Sequence, residues 1–276
     1  MISGLSLLKD DFKLLSTEEY ININFVKSII NGNSAVYKVS NFFKIDYCEV
    51  IKNNFLSSQH KVVRYGVGKD DIEAYILGSS HIEKYTSKYL NNSQETRQYV
   101  DELFNNIENP IQNFINKLIE NNLKVRPAGH EGKYANLCKG VLWNNIGDFL
   151  LLPHEDLSQL KDPRQNDFEI NTIENVMAVN FYPAIEKGAG KLKIWNIIPD
   201  QNTKENLGLQ YSGYPYPIDS IQYFDSMVLE INPGDLILLN GNLVHAVLGG
   251  EDFKPKSRIL ITCFMGERNG ELLYWT

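Results

Sequence analysis

Apolar positions change their spacing part-way along the chain. Up to about residue 125 much of the apolar text recurs at helical intervals. Phe25, Ile29 and Ile30 follow Ser16-Thr17-Glu18-Glu19, which reads as a capped helix start, and Asn31-Gly32-Asn33 ends the run. Tyr47 to Phe55 is a second helical stretch. From Glu95 to about Asn121, Val100, Leu103, Phe104 and Ile107 form one stripe and Ile111, Phe114, Ile115, Leu118 and Ile119 the next. Pro110 lies between them, which predicts a kink or two successive helices. Only Ala35 to Val39 and the stretch from Val62 to Tyr75, with a glycine turn at Gly66-Val67-Gly68-Lys69, read as strands in this half. No strand, Gly-x-Gly-x-x-Gly and helix unit surrounds those glycines, so a turn is favoured over a phosphate loop.

Beyond Arg126-Pro127 the text becomes strand-like: Ala135 to Trp143, Phe149 to Pro153, Val176 to Tyr182, Leu192 to Asn196, Met227 to Ile231, Leu236 to Leu239, Val244 to Leu248 and Ile259 to Phe264. Eight short strands separated by Gly- and Pro-bearing turns are what a double-sheet jelly roll requires. The expected fold is mainly β with α, a double-stranded β-helix of cupin-like form over residues 126–276, with residues 1–125 as a mostly helical support. At 276 residues one domain can hold both parts.

Two long polar segments interrupt the strands, Leu157 to Asn175 and Pro199 to Phe224. The second contains Leu209-Gln210-Tyr211-Ser212-Gly213-Tyr214-Pro215-Tyr216-Pro217. Loops of this length in a compact domain are commonly lids or binding loops, and tyrosine suits contact with an organic substrate. An ordered surface loop without ligand contact is an equal alternative.

Composition narrows the partners. A 43% apolar share is ordinary for a globular chain, and a net charge of −7 argues against a nucleic-acid surface. Lys254 and Lys256 near Arg258 come closest to a basic cluster and read as solvated loop charges. Cys48, Cys138 and Cys263 lack disulfide or zinc spacing, the first twenty residues lack a signal-peptide core, and no window reaches membrane-span length. A cytoplasmic protein with a small-molecule substrate is expected, without nucleic acid or membrane partners. Its oligomeric state is not legible.

The chemistry concentrates in Phe149-Leu150-Leu151-Leu152-Pro153-His154-Glu155-Asp156. In an extended segment His154 and Asp156 share a face and Glu155 points away. His245 follows far downstream, after the turn Asn232-Pro233-Gly234-Asp235. Two histidines and a carboxylate form the facial triad that holds non-haem Fe(II) with positions left open. In the next strand-like run Arg258, Leu260 and Thr262 share a face. A guanidinium there suits the far carboxylate of 2-oxoglutarate, because its fork makes two parallel hydrogen bonds to a carboxylate.

This order of residues, H-x-D, a long insert, H and R, resembles the Fe(II)/2-oxoglutarate-dependent oxygenases. Gly147-Asp148-Phe149, Gly188-Ala189-Gly190-Lys191-Leu192-Lys193-Ile194-Trp195-Asn196, Pro233-Gly234-Asp235 and Glu271-Leu272-Leu273-Tyr274-Trp275 are similar to its freestanding small-molecule enzymes, over roughly residues 126–276. These include carrier-independent aliphatic halogenases of indole-alkaloid pathways and hydroxylases of N-acylated amino acids. The resemblance implies metal ligands at His154, Asp156 and His245, a co-substrate arginine at Arg258, and Fe(II), 2-oxoglutarate and O2 as cofactors, with ascorbate a candidate reductant. It implies hydroxylation of an unactivated C–H bond of an amino acid, a derivative or a natural product, with release of succinate and CO2. In the group's halogenases glycine replaces the carboxylate and chloride takes the vacant site, so Asp156 favours hydroxylation.

Desaturation, cyclisation and halogenation remain alternative outcomes of the same oxidant. A cupin-like metal hydrolase or isomerase is the competing class, and it leaves Arg258 without a purpose. Asn180 and Thr262 are candidate co-substrate contacts; a polar residue inside Val176-Met177-Ala178-Val179-Asn180-Phe181 needs a partner if buried. Trp195 reads first as core packing. Arg64 and His81 are possible substrate contacts outweighed by ordinary surface or cap roles, and His60, His81 and His130 read as surface or structural residues.

Overall fold

A computed structural model describes residues 2–65, 72–143, 147–185, 190–249 and 258–276. The glycine turn at 66–69, the Gly188-Ala189 pair, Lys254, Lys256 and Ser257 lie outside the described residues. Within them, two antiparallel-rich sheets face each other. The smaller has four strands in the order Phe149–His154, His245–Leu248, Leu192–Trp195 and Ser226–Leu229. The larger is centred on Met177–Ile185 and Arg258–Arg268, flanked by Leu236–Asn240 and Val36–Ser40 on one side and by Lys139–Trp143, Ile72–Leu77 and Val62–Tyr65 on the other.

The alternation of side chains on the central strands explains the layering. Ala178, Tyr182 and Leu260 point inward and pack against Leu150, Leu192, Ile194 and Val247 of the small sheet. Their neighbours Val179, Phe181, Ile259, Ile261 and Cys263 point outward, onto Val26, Ile29, Ile51, Phe55, Phe114 and Leu118 of the covering helices. A sheet covered on both faces needs apolar residues at nearly every position, which is why Met177–Phe181 and Ile259–Cys263 read as unbroken apolar runs. Of the described residues, no helix is long and apolar enough to cross a membrane.

The N-terminal section departs from its expected elements at two helix starts, while Pro110 separates two helices as expected. Ser16 to Glu18 belong to the strand Leu14–Glu18, paired in parallel with Val36–Ser40, and the helix begins at Ile23, capped by the side chain of Asn22. Thr17 spends its hydroxyl on Tyr37 rather than on a helix end. The helix expected from Glu95 starts at Thr86, where Tyr89, Leu90 and Ser93 are buried among polar residues that hide their helical spacing. Pro110 opens a second helix, Pro110–Glu120, and Asn109 caps it by accepting from the Ile111 and Gln112 amides. Strands from this section also extend the large sheet, so it supports the core by pairing as well as by covering.

Candidate active site

His154 ends the strand Phe149–His154 and His245 begins the strand His245–Leu248, and the two residues are direct cross-strand partners. Their ring centroids lie 4.1 Å apart. Beyond His154 the strand ends, and two backbone bonds fix the turn: the Glu155 amide donates to Gly213 O at 3.0 Å and the Asp156 amide to Gly241 O at 2.7 Å. Asp156 therefore projects to the same side as His154. A Cβ on Gly241 would stand 2.8 Å from Asp156 Oδ2, so a glycine there makes room for the carboxylate.

Each imidazole is oriented by its other nitrogen. His154 Nδ1 lies 2.8 Å from Leu152 O and His245 Nδ1 lies 2.9 Å from Leu243 O. A carbonyl only accepts, so Nδ1 carries the proton in both rings and each Nε2 keeps its lone pair. Those two lone pairs and the Asp156 carboxylate converge: one ligand atom from each residue falls within 4.8 Å of the others. His154 Nε2 is 3.9 Å from Asp156 Oδ1 and His245 Nε2 is 3.5 Å from Asp156 Oδ2, too far for hydrogen bonds. Oδ2 of Asp156 is buried and has no hydrogen-bond partner.

Burial pushes the Asp156 carboxyl well above its ordinary range, with Glu155 adding to the rise. Burial likewise lowers His245 to about 4 and holds His154 well below its usual value, where the nearby Arg64 charge also contributes. Three desolvated groups thus meet with their acceptor atoms facing one another, an arrangement that a divalent cation would relieve. The residues present fit a metal with two nitrogen ligands and one oxygen ligand.

Glu155, which the extended spacing turns away from this point, is wholly buried. It accepts from the Leu157 amide at 2.7 Å, the Ser158 amide at 3.1 Å and the Ser158 hydroxyl, and pairs with Lys204 at 3.2 Å. It locks the turn that carries Asp156. Glu155→Ala would strand a buried ammonium and two backbone amides, so a loss of about 3 to 5 kcal/mol is expected in denaturant unfolding of the metal-free protein. Wild-type stability in that variant would remove Glu155 from this role.

Arg258 occupies the inner face of the large sheet and is 1% exposed. Its Nη2 donates to the Tyr182 hydroxyl at 3.2 Å, and its guanidinium carbon stands 4.8 Å from the Tyr182 ring centre. Nε and Nη1 are buried without a hydrogen-bond partner, and no carboxylate among the described residues pairs with the group. Gly190 is required beside it: φ is +66° there, and a Cβ would fall 2.4 Å from Arg258 Cδ. On the same sheet face Thr262 donates to Asn180 Oδ1 at 2.7 Å across the strand pair. Trp195 packs with Ile197, Val244 and Ala246 on the outer face of the small sheet, away from the histidines, as its core reading anticipates.

Further polar residues line this space. Lys139 is the cross-strand partner of Thr262, is 6% exposed, donates to Ser80 Oγ at 2.9 Å and has no acidic partner among the described residues. Burial, aided by Arg64 and Lys84, lowers its ammonium to about 7. A charged residue inside the apolar run Ala135 to Trp143 was the available sequence signal. Arg64 and Glu73 form an ion pair, and Tyr214 from the tyrosine-rich loop joins it. His81 is fully buried and structural, bonded through Nδ1 to Gln165.

Residues 11–276 match the family described as carrier-protein-independent halogenase WelO5. The chain belongs to this family. One relative of this WelO5-family chain, the L-isoleucine 3(1)-dioxygenase of Pantoea ananatis, is 30% identical over 279 residues, covering 95% of this chain and 92% of that protein. Among solved structures, an N-substituted L-amino acid dioxygenase from Burkholderia ambifaria covers 92% of this chain and 91% of its own at 12% identity, with a TM-score of 0.54. HygX from Streptomyces hygroscopicus, with nickel and 2-oxoglutarate bound, covers 89% and 87% at 10% identity, with a TM-score of 0.50. At such identities these two likenesses establish the fold alone.

Proposed function

We propose that this WelO5-family chain is an Fe(II)/2-oxoglutarate-dependent dioxygenase that hydroxylates an unactivated C–H bond of a free amino acid. The carrying observation is a pair of complementary sites within one inter-sheet space: a convergent His-Asp-His cluster whose acceptor atoms face one another, and a buried guanidinium with two unpartnered nitrogens. The competing hydrolase or isomerase reading fills only the first. The amino-acid part rests on the isoleucine dioxygenase relative. The two facing sheets are then a double-stranded β-helix within a single domain.

His154 and His245 would hold the metal through Nε2, and Asp156 through a carboxylate oxygen whose charge offsets half of the cation's. Bound there, iron together with 2-oxoglutarate and O2 supplies the oxidising chemistry, which yields succinate, CO2 and a hydroxylated substrate. Arg258 would anchor the distal carboxylate of 2-oxoglutarate through its guanidinium fork, in which Nη2 keeps a second N–H beside the one given to Tyr182. Asn180 and Thr262, on the sheet face that carries Arg258, would serve as co-substrate contacts. The apolar inner faces keep bulk water from these charges, which strengthens each contact.

Anaerobic addition of Fe(II) and then 2-oxoglutarate should produce a visible absorption band from the chelated keto acid. Admitting O2 with a panel of free amino acids, L-isoleucine first, should raise succinate release above the substrate-free rate. Bound Fe(II) without the band would return the hydrolase class to the front. A band without stimulation by any free amino acid would sink the substrate assignment and leave the cofactor assignment standing.

A further inference from the structure

Beside the metal ligands lies a polar cluster that neither the metal nor 2-oxoglutarate uses. The edge hairpin pairs Arg64 with Ala74 and Tyr65 with Ile72, leaving Glu73 as an extra residue in a β-bulge. By strand parity Glu73 would follow Leu77 onto the helix-covered face; the bulge re-aims it inward. There it is 1% exposed. Its Oε1 accepts from the Tyr214 hydroxyl at 3.0 Å, and its Oε2 lies 2.7 Å from Arg64 Nε. That ion pair lacks hydrogen-bond alignment, so Oε2 remains buried without a hydrogen bond. The Arg64 guanidinium stands over Trp143, 5.9 Å from its ring centre, and its outer nitrogens bond to no described residue. Tyr214 closes the cluster toward the metal, its ring 6.2 Å from that of His154.

A buried carboxylate oxygen with spare accepting capacity beside a guanidinium with spare donors matches a group that carries an ammonium and a carboxylate on one carbon. We propose that Glu73, Arg64 and Tyr214 form the head-group site for an α-amino acid: Glu73 Oε2 accepts from the substrate ammonium, the outer nitrogens of Arg64 hold its carboxylate, and Tyr214 fixes Glu73. The substrate's side chain then extends across Tyr214 toward His154, Asp156 and His245. Oxidation falls on the side chain because the head group is held to one side of the metal. The inference rests on the amino-acid reading above and assigns the residues that enforce it.

The test is equilibrium binding, under anaerobic conditions, to protein loaded with Fe(II) and 2-oxoglutarate. Three probes separate the charges: L-isoleucine, its primary amide and its N-acetyl derivative. Wild-type protein should bind L-isoleucine and prefer it to either capped probe by on the order of 10- to 100-fold, because a site built for a charged donor or acceptor penalises its loss. Glu73→Gln should weaken L-isoleucine while leaving N-acetylisoleucine little changed, and Arg64→Gln should do the same with respect to the amide. A variant that merely misfolds weakens all three probes together and loses the absorption band. Wild-type binding of L-isoleucine with no preference over the capped probes, or an unchanged preference in Glu73→Gln, would overturn the head-group site while the amino-acid reading stands. Absence of binding by all three probes, and by every other free amino acid of the panel, would overturn both.

Discussion

Asp156→Gly is expected to reduce hydroxylation at least about 100-fold, because removing even an outer partner of a metal ligand costs 10- to 100-fold and Asp156 supplies the cluster's carboxylate itself. The fold should survive. Asp156 is buried, its Oδ2 has no hydrogen bond, and its backbone amide, which donates to Gly241 O, is kept by glycine. Metal occupancy should fall at limiting Fe(II), since two imidazoles remain and the charge that offsets the cation is gone. Added chloride or bromide should partly restore occupancy in the glycine variant and have no effect on the wild type, following the glycine of the family's halogenases. Asp156→Asn separates charge from volume: a comparable loss of hydroxylation there assigns the effect to the carboxylate charge. Succinate release and product formation, measured against metal content, decide the matter. Undiminished hydroxylation in Asp156→Gly would show that Asp156 is not a ligand.

The site was legible in the chain to the extent that local geometry determines it. Strand alternation alone predicts His154 and Asp156 on one side and Glu155 on the other, and the backbone bonds of 155 and 156 to Gly213 and Gly241 hold that arrangement past the strand's end. The meeting with His245 needed the order of the strands, which the motif's resemblance supplied and the register of the small sheet realises. Lys139, Arg64, Glu73 and Tyr214 were harder to find for different reasons. Lys139 is marked in the sequence only by standing inside an apolar run, and what covers it comes from distant segments. Glu73 faces inward through a bulge, and a bulge reverses the parity on which pattern reading depends. Tyr214 reaches Glu73 across a separation of 141 residues, beyond any local signal. Among the helices, cap chemistry misled at Ser16 because a short edge strand and a helix N-terminus draw on the same residues. Asn22, six residues later, carries the cap.

Arg258→Met should move two measurements in opposite directions. Without a ligand, Arg258 is a buried cation whose only described hydrogen bond goes to the Tyr182 hydroxyl. Burial lowers its pKa, which records the cost of keeping that charge out of water. Methionine follows the same volume without charge, so the metal-free, ligand-free variant should unfold at a higher temperature than wild type, less about 1 kcal/mol for the lost hydrogen bond. In the presence of 2-oxoglutarate the order should reverse. Wild type gains stability with the logarithm of ligand concentration over its dissociation constant, whereas the variant has lost a buried charge pair. Breaking such a pair costs about 3 to 5 kcal/mol, or roughly 100- to 3,000-fold in 2-oxoglutarate affinity. Thermal unfolding across a 2-oxoglutarate titration at fixed metal therefore gives two curves that cross. A variant less stable than wild type without ligand, yet equally stabilised by 2-oxoglutarate, would make Arg258 a structural residue. Crossing curves would identify it as a charge held at a cost to the fold for the sake of the co-substrate.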